Sequence, residues 1–154
     1  MPDFALTDPE RRLLHALSGR GIRFLVVGLG AALIEGAPVA TLDLDLWLER
    51  IDDPRIPQAA ADAGGFWVTG FGLQPPSFGG EGLDRLDVVL TLHGLGTFDD
   101  EYAQSLDRVI DGLPLRVLPL ERVVASKRAT NRLKDRAVLP VLEATLLAGG
   151  SSDR

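Results

Sequence analysis

Apolar positions along the chain change their period several times, and each change marks an element. Leu13, Leu14 and Leu17 recur at helical spacing after Thr7, Asp8 and Pro9, and Gly19 or Gly21 follows them. A threonine or aspartate accepts a free N–H at a helix start and proline suits the first turn, so this pattern predicts a first helix. "IRFLVVG", residues 22–28, is short, continuously apolar and rich in branched side chains, as a buried strand is. A helix from about Gly30 follows and stops near Gly36-Ala37-Pro38. From Thr41 to Leu48 the chain alternates, with Leu42, Leu44, Leu46 and Leu48 on one face and Thr41, Asp43, Asp45, Trp47 and Glu49 on the other.

Beyond this strand, "IDDPRIPQAAADAGG" predicts a loop and a short helix around Ile56 to Ala63. Gly64 to Gly82 is rich in glycine and proline and reads as a loop or an irregular hairpin arm. Arg85 to Leu92 is an apolar strand carrying one acid, Asp87. "RVIDGLPLRVL" predicts two short strands about an Asp111-Gly112 turn. Two helices follow, Pro119 to Thr130 and Lys134 to Leu147, with a kink expected at Pro140. This order predicts an α/β or α+β fold, a small mixed sheet flanked by helices.

Composition narrows the chemistry. The 154 residues suit one domain, expected over 1–148, with a frayed tail at 149–154. A net charge of −6 argues against a chain that coats nucleic acid. With no cysteine and two histidines, a metal would be held by oxygen, which suits magnesium or manganese. The N-terminal stretch carries Asp3, Asp8 and Glu10 and lacks the continuous apolar core of a signal peptide. No run approaches the roughly 20 apolar residues of a membrane helix, so no membrane partner is expected and a cytoplasmic location is.

Asp43 and Asp45 then stand out, since two carboxylates on one strand face repel each other and favour a cation between them. They are also poor strand formers, and Trp47 shares their face. Two readings stay open: a solvated strand face, or a cation site completed by Asp87 from a neighbouring strand. "GLGAAL" at 28–33 has two glycines of a dinucleotide fingerprint but Leu33 in place of the third. A glycine turn before a helix either brings backbone N–H groups to a phosphate or simply allows close packing. "SKRATNRLKDR" gathers Lys127, Arg128, Arg132, Lys134 and Arg136, as a solvated helix end also does. Lys127 continues the stripe of Leu120, Val123 and Val124, so it must find a partner or reach into a cleft. His93 follows the Asp87 strand in "TLHGLG".

A strand, a glycine turn opening a helix, then T-x-D-x-D, then a lone aspartate on a later strand: this pattern resembles the DNA polymerase beta-like nucleotidyltransferase superfamily. The likeness is greatest to its small bacterial members, such as those of abortive-infection toxin systems and related minimal nucleotidyltransferases. It spans roughly Phe24 to Leu147, ending in "LPLERVVASKRATNRLKDRAVLPVLEATL", where a lysine on one helix precedes a K-D pair opening the next. The resemblance implies that Gly28 and Gly30 touch a triphosphate, that Thr41 precedes the acids, and that Asp43, Asp45 and Asp87 are catalytic and bind metal. Lys127 and Lys134, with Asp135 beside them, match the segment whose lysines face the nucleotide phosphates.

The implied activity is transfer from an NTP to a hydroxyl of RNA, protein or a small molecule, with Mg2+ or Mn2+ as cofactor. In the superfamily two ions bridge the acids and the triphosphate, the third acid helps deprotonate the attacking hydroxyl, and pyrophosphate leaves. A toxin role with an antitoxin protein as partner also follows from the likeness. Two departures favour an alternative, a degenerate member that binds nucleotide or a partner protein without turnover. Leu29 stands where a second adjacent glycine is usual, and Val39 where an arginine is. A third possibility is an interaction domain whose acids are merely exposed.

Overall fold

In the computed structural model, residues 4–41 and 43–149 are described. Leu42, and the expected tail apart from Gly149, lie outside the described residues. The first helix, α1 (Asp8–Gly19), is capped reciprocally: the Glu10 N–H donates to Thr7 Oγ1 and the Thr7 N–H to Glu10 Oε1. The strand β1 (Phe24–Val27) is wholly buried. It turns at once into α2 (Gly28–Ile34), two residues earlier than the apolar pattern predicts. The strand β2 (Leu44–Leu48) is shorter than expected, and Thr41 and Asp43 precede it. There the Asp43 N–H donates to Thr41 Oγ1 at 3.1 Å, a local turn that competes with the ladder.

The helix α3 (Arg55–Asp62) leads into an antiparallel ribbon of β3 (Phe66–Val68) and β4 (Ser77–Gly79), the second of the two alternatives, loop or irregular hairpin arm, that the sequence offers for this segment. After β5 (Leu86–Val89) comes α4 (Phe98–Gln104), a helix that the apolar pattern does not announce. Its seven residues are mostly polar and it buries only Phe98 and Glu101, so it shows no stripe. The hairpin of β6 (Leu106–Ile110) and β7 (Leu113–Val117) turns at Asp111-Gly112, both with positive φ. The chain closes on α5 (Leu120–Thr130) and α6 (Leu133–Leu147), with Pro140 inside the latter.

The five-stranded mixed sheet has the order β5-β2-β1-β7-β6. β1 runs antiparallel to β2 and parallel to β7, while β2 runs parallel to β5. Parallel neighbours need long crossovers, and the helices supply them on the way from β2 to β5 and from β1 to β7. Leu13, Leu14, Leu17, Leu25 and Leu46 are fully buried in one apolar cluster around β1 and β2. Among the described residues no helix is long and apolar enough to cross a membrane.

Three glutamates are buried within this framework, each gripped by an arginine on another element. Arg85 Nη2 donates to Glu10 Oε1 at 2.6 Å, Arg108 Nε to Glu35 Oε2 at 2.8 Å, and Arg122 Nη2 to Glu101 Oε2 at 2.6 Å. Two-pronged pairing satisfies both carboxylate oxygens, the condition on which a buried charge is tolerated. Burial alone would raise the Glu10 pKa, but Arg85 and Thr7 outweigh it and hold it below the usual range. Arg85→Ala strands the fully buried Glu10 charge between α1 and β5. The expected loss is about 3–5 kcal/mol in chemical denaturation, and Glu10→Ala with Arg85→Ala together should cost clearly less than the two added.

Candidate active site

The end of β1, the start of β2 and the start of β5 meet along one edge of the sheet. Register does the work here: Val27 lies opposite Asp45 across β1 and β2, and Asp45 opposite Asp87 across β2 and β5. Opposed residues on neighbouring strands share a face, so the glycine turn and two acids stand in a row. They open onto a cleft of about 550 Å³ whose lining includes Gly28, Thr41, Asp43, Asp45, Asp87, Lys127 and Lys134. Of the glycines, acids and lysines expected at a site from sequence, Gly30 does not line it, and of the basic cluster neither Arg128, which pairs with Glu143, nor Arg136 does. A Cβ on Gly30 would meet Leu44 Cδ1 at 3.2 Å, so this glycine lets α2 lie close on β2.

Gly28 has a different reason to be glycine. Its φ is +68°, and any Cβ would collide with the Asp45 Oδ2. The turn therefore sits directly against the carboxylate, which only glycine permits. Leu29 is half-buried and lines the cleft beside it.

Asp45 lies where its charge is costly. Burial first, and then the charge of Asp87, push its pKa up to about 6; Lys127 partly offsets this, Asp43 adds to it and Lys134 opposes it. Asp87, on the exposed face of β5, is also raised, by partial desolvation and then by Asp43. The acids thus feel one another and both lysines.

The facing wall is the corner between α5 and α6. Asn131 takes a left-handed conformation (φ 52°) to end α5, and Arg132 is the N-cap of α6. Asp135, 1% exposed, lies beneath them. It accepts from Arg132 Nε at 2.8 Å and pairs with Lys127 Nζ at 3.3 Å. Arg132, above all, holds its pKa down to about 2, against the effect of burial. The partner that the Lys127 stripe demanded is therefore Asp135, and Lys127 lines the cleft from that anchor.

Sequence reasoning gave Thr91 no role and Arg132 little, yet both line the cleft, as does His93. Thr91 follows β5 at the same alternation as Asp87 and Val89, a signal that was present once Asp87 was recognised.

Among the described residues, no three His, Cys, Asp or Glu side chains are already gathered as a metal cage. The donor chemistry nonetheless fits a hard divalent cation: carboxylate oxygens only, mutually repelling, with the Asp45 pKa pushed up to about 6 by burial and then by that repulsion.

No family model and no curated protein matches the chain. Solved structures do. The solution structure of the antibiotic-resistance factor ANT(2'')-Ia aligns with 91% of this chain and 83% of its own, at 13% identity and a TM-score of 0.60. A crystal structure of ANT(2'')-Ia in complex with adenylyl-2''-tobramycin covers 88% and 86%, at 14% identity and a TM-score of 0.58. An antigenic nucleotidyltransferase-like protein from Paracoccidioides brasiliensis covers 85% and 72%, at 17% identity and a TM-score of 0.52. The fold is that of the nucleotidyltransferases.

The Asp45 shift has a consequence for stability. The folded carboxyl keeps its proton to about pH 6, whereas the unfolded one releases it near 3.8. Folding therefore takes up a proton in that window, and stability falls as pH rises through it, by on the order of 2–3 kcal/mol at completion. Thermal unfolding at pH 5 and pH 7.5 should show this decline in the wild type. Asp45→Asn should flatten the profile and melt higher at pH 7.5.

Proposed function

We propose that the chain is a metal-dependent nucleotidyltransferase that moves a nucleotidyl group from an NTP to a hydroxyl acceptor. The observation that carries this reading is the register of Asp45 with Asp87 beside the Gly28 turn, across a cleft from Lys127, Arg132 and Lys134. Acids and cations on opposite walls suit a ligand that is itself a cation bound to a polyphosphate.

Asp43, Asp45 and Asp87 would hold Mg2+ or Mn2+, which when bound supplies charge stabilisation at the attacking and leaving oxygens. Gly28 offers a backbone without a side chain next to Asp45, where a phosphate can approach closely. Thr41 fixes the approach to the acids by turning back on Asp43. Lys127 and Lys134 face the charge that builds on departing pyrophosphate, and Asp135 holds Lys127 in place. Asp87 has a raised pKa and is exposed to solvent, which suits it to accept the proton of the incoming hydroxyl.

The adenylyl-tobramycin complex of ANT(2'')-Ia gives this fold a small-molecule acceptor in that protein, and supports a small molecule here beside RNA or protein. The need for NTP and magnesium on this reading supports a cytoplasmic location. The small bacterial members resembled by the sequence support a toxin role with an antitoxin protein as partner. The check is the neighbouring gene: its product should co-purify with this chain and suppress transfer.

Leu29 supports the alternative, a member that binds nucleotide without turnover, because it brings a bulky side chain into the cleft beside Gly28. One assay separates the two. With magnesium and labelled NTP, the wild type should label an acceptor in a cellular fraction, and Asp43→Ala and Asp87→Ala should each lower labelling by at least about 100-fold. Equal labelling by all three proteins would end the catalytic reading. Calorimetric binding of Mg-NTP with no labelling would select the alternative.

A further inference from the structure

The connection from β5 to α4 is built more firmly than a surface loop requires. Gly94 has a φ of +79°, and a Cβ there would run into Ala129 Cβ and lie 3.1 Å from the Ala125 oxygen. The backbone of the loop thus rests directly on α5. Two residues on, the Gly96 N–H donates to Glu101 Oε2 at 2.8 Å. Glu101, 1% exposed, is in turn gripped by Arg122 of α5. Loop and helix are locked together just after His93.

What this lock holds beside the cleft is a histidine. His93 lines it, and among the described residues it makes no hydrogen bond or ion pair. The stripe of α5 facing the same cleft is Val123, Ser126, Lys127 and Thr130, spaced three and four apart. His93 is therefore tied to the helix that carries the phosphate-facing lysine.

The cleft divides by chemistry. The acids occupy the sheet edge, and Lys127, Arg132 and Lys134 occupy the α5–α6 corner. Part of the remaining lining is apolar, from half-buried Val89 and Leu92, with exposed Thr91 and His93 beside them. An apolar surface with a few polar groups and an aromatic ring is what a nucleobase and its ribose need, because every base has a flat face to stack and edges to hydrogen-bond.

We infer that His93 contacts the nucleoside of the bound triphosphate and, with Thr91, sets which base the cleft accepts. This rests on the nucleotidyltransferase reading. The test is calorimetry without acceptor, using Mg2+ with ATP, GTP, CTP and UTP, and separately with inorganic tripolyphosphate. The wild type should prefer one base. His93→Ala should weaken that preferred NTP by about tenfold and level the preference, while tripolyphosphate affinity changes by less than about twofold. His93→Gln, which keeps hydrogen bonding without the ring, should fall between them and guards against a variant that fails to fold.

Preferred-NTP binding unchanged in both variants would overturn the inference alone. So would equal losses for NTP and tripolyphosphate, which would mark a general disturbance of the cleft. Four equal NTP affinities in the wild type would remove the selectivity. A wild type that binds neither NTP nor tripolyphosphate would instead remove the reading on which the inference rests.

Discussion

The structure turns on a carboxylate placed where it repels its neighbours. Asp45 sits on β2 between Val27 of β1 and Asp87 of β5, and its side chain lies against the backbone of Gly28. Burial and the Asp87 charge both work against its ionised form. A fold optimised for stability alone would put an amide or an apolar residue there. Retaining the acid costs stability near neutral pH, and such concessions cluster at sites where a ligand later supplies the missing charge.

Tolerating that cost requires a rigid surround, and the buried glutamate–arginine pairs provide one. Glu10 and Arg85 join α1 to the approach of β5, so they fix the strand that carries Asp87. Glu35 and Arg108 join the end of α2 to β6. Glu101 and Arg122 join α4 to α5, and Asp135 joins the start of α6 to Lys127. Each pair ties a wall of the cleft to an element that does not itself line it or to the opposite helix. The carboxylates are nearly inaccessible while their arginines reach solvent. A pair of this kind resists separation, because either partner left alone would keep an uncompensated charge in the interior.

Much of this was legible in the residues. The aspartate pair betrayed itself by interrupting an alternating apolar run against propensity, although only Asp45 lies within β2, Asp87 by interrupting an apolar run, and the glycine turn by punctuating strand and helix. The fold class followed from the order of periods. Contacts that depend on distant pairing were not legible. Glu10 and Arg85 are 75 positions apart, and nothing local tells a buried glutamate from a surface one on a helix. The helix α4 escaped because its core contacts are one phenylalanine and one buried acid. Gly30 was assigned to the phosphate by its likeness to a motif, whereas the packing of Leu44 against it supplies the simpler cause. Local pattern reports what a residue avoids; its partner is reported only by the tertiary fold.

The charge balance of the cleft, finally, says something about the order of binding on the proposed reading. Asp135 already neutralises much of Lys127 and Arg132, so the corner is less attractive to a bare polyphosphate than its three cations suggest. On the opposite wall Asp43, Asp45 and Asp87 repel any anion that enters without a counter-ion. A triphosphate arriving alone would add negative charge to carboxylates that already oppose one another, and a divalent cation arriving alone would lack the phosphate oxygens that complete its coordination. Entering together, each supplies what the other lacks: the cation relieves the acids, and the phosphate oxygens complete its coordination and engage the lysines. On the proposed reading, the electrostatics of the cleft therefore favour the metal–nucleotide complex, as a unit, over either component.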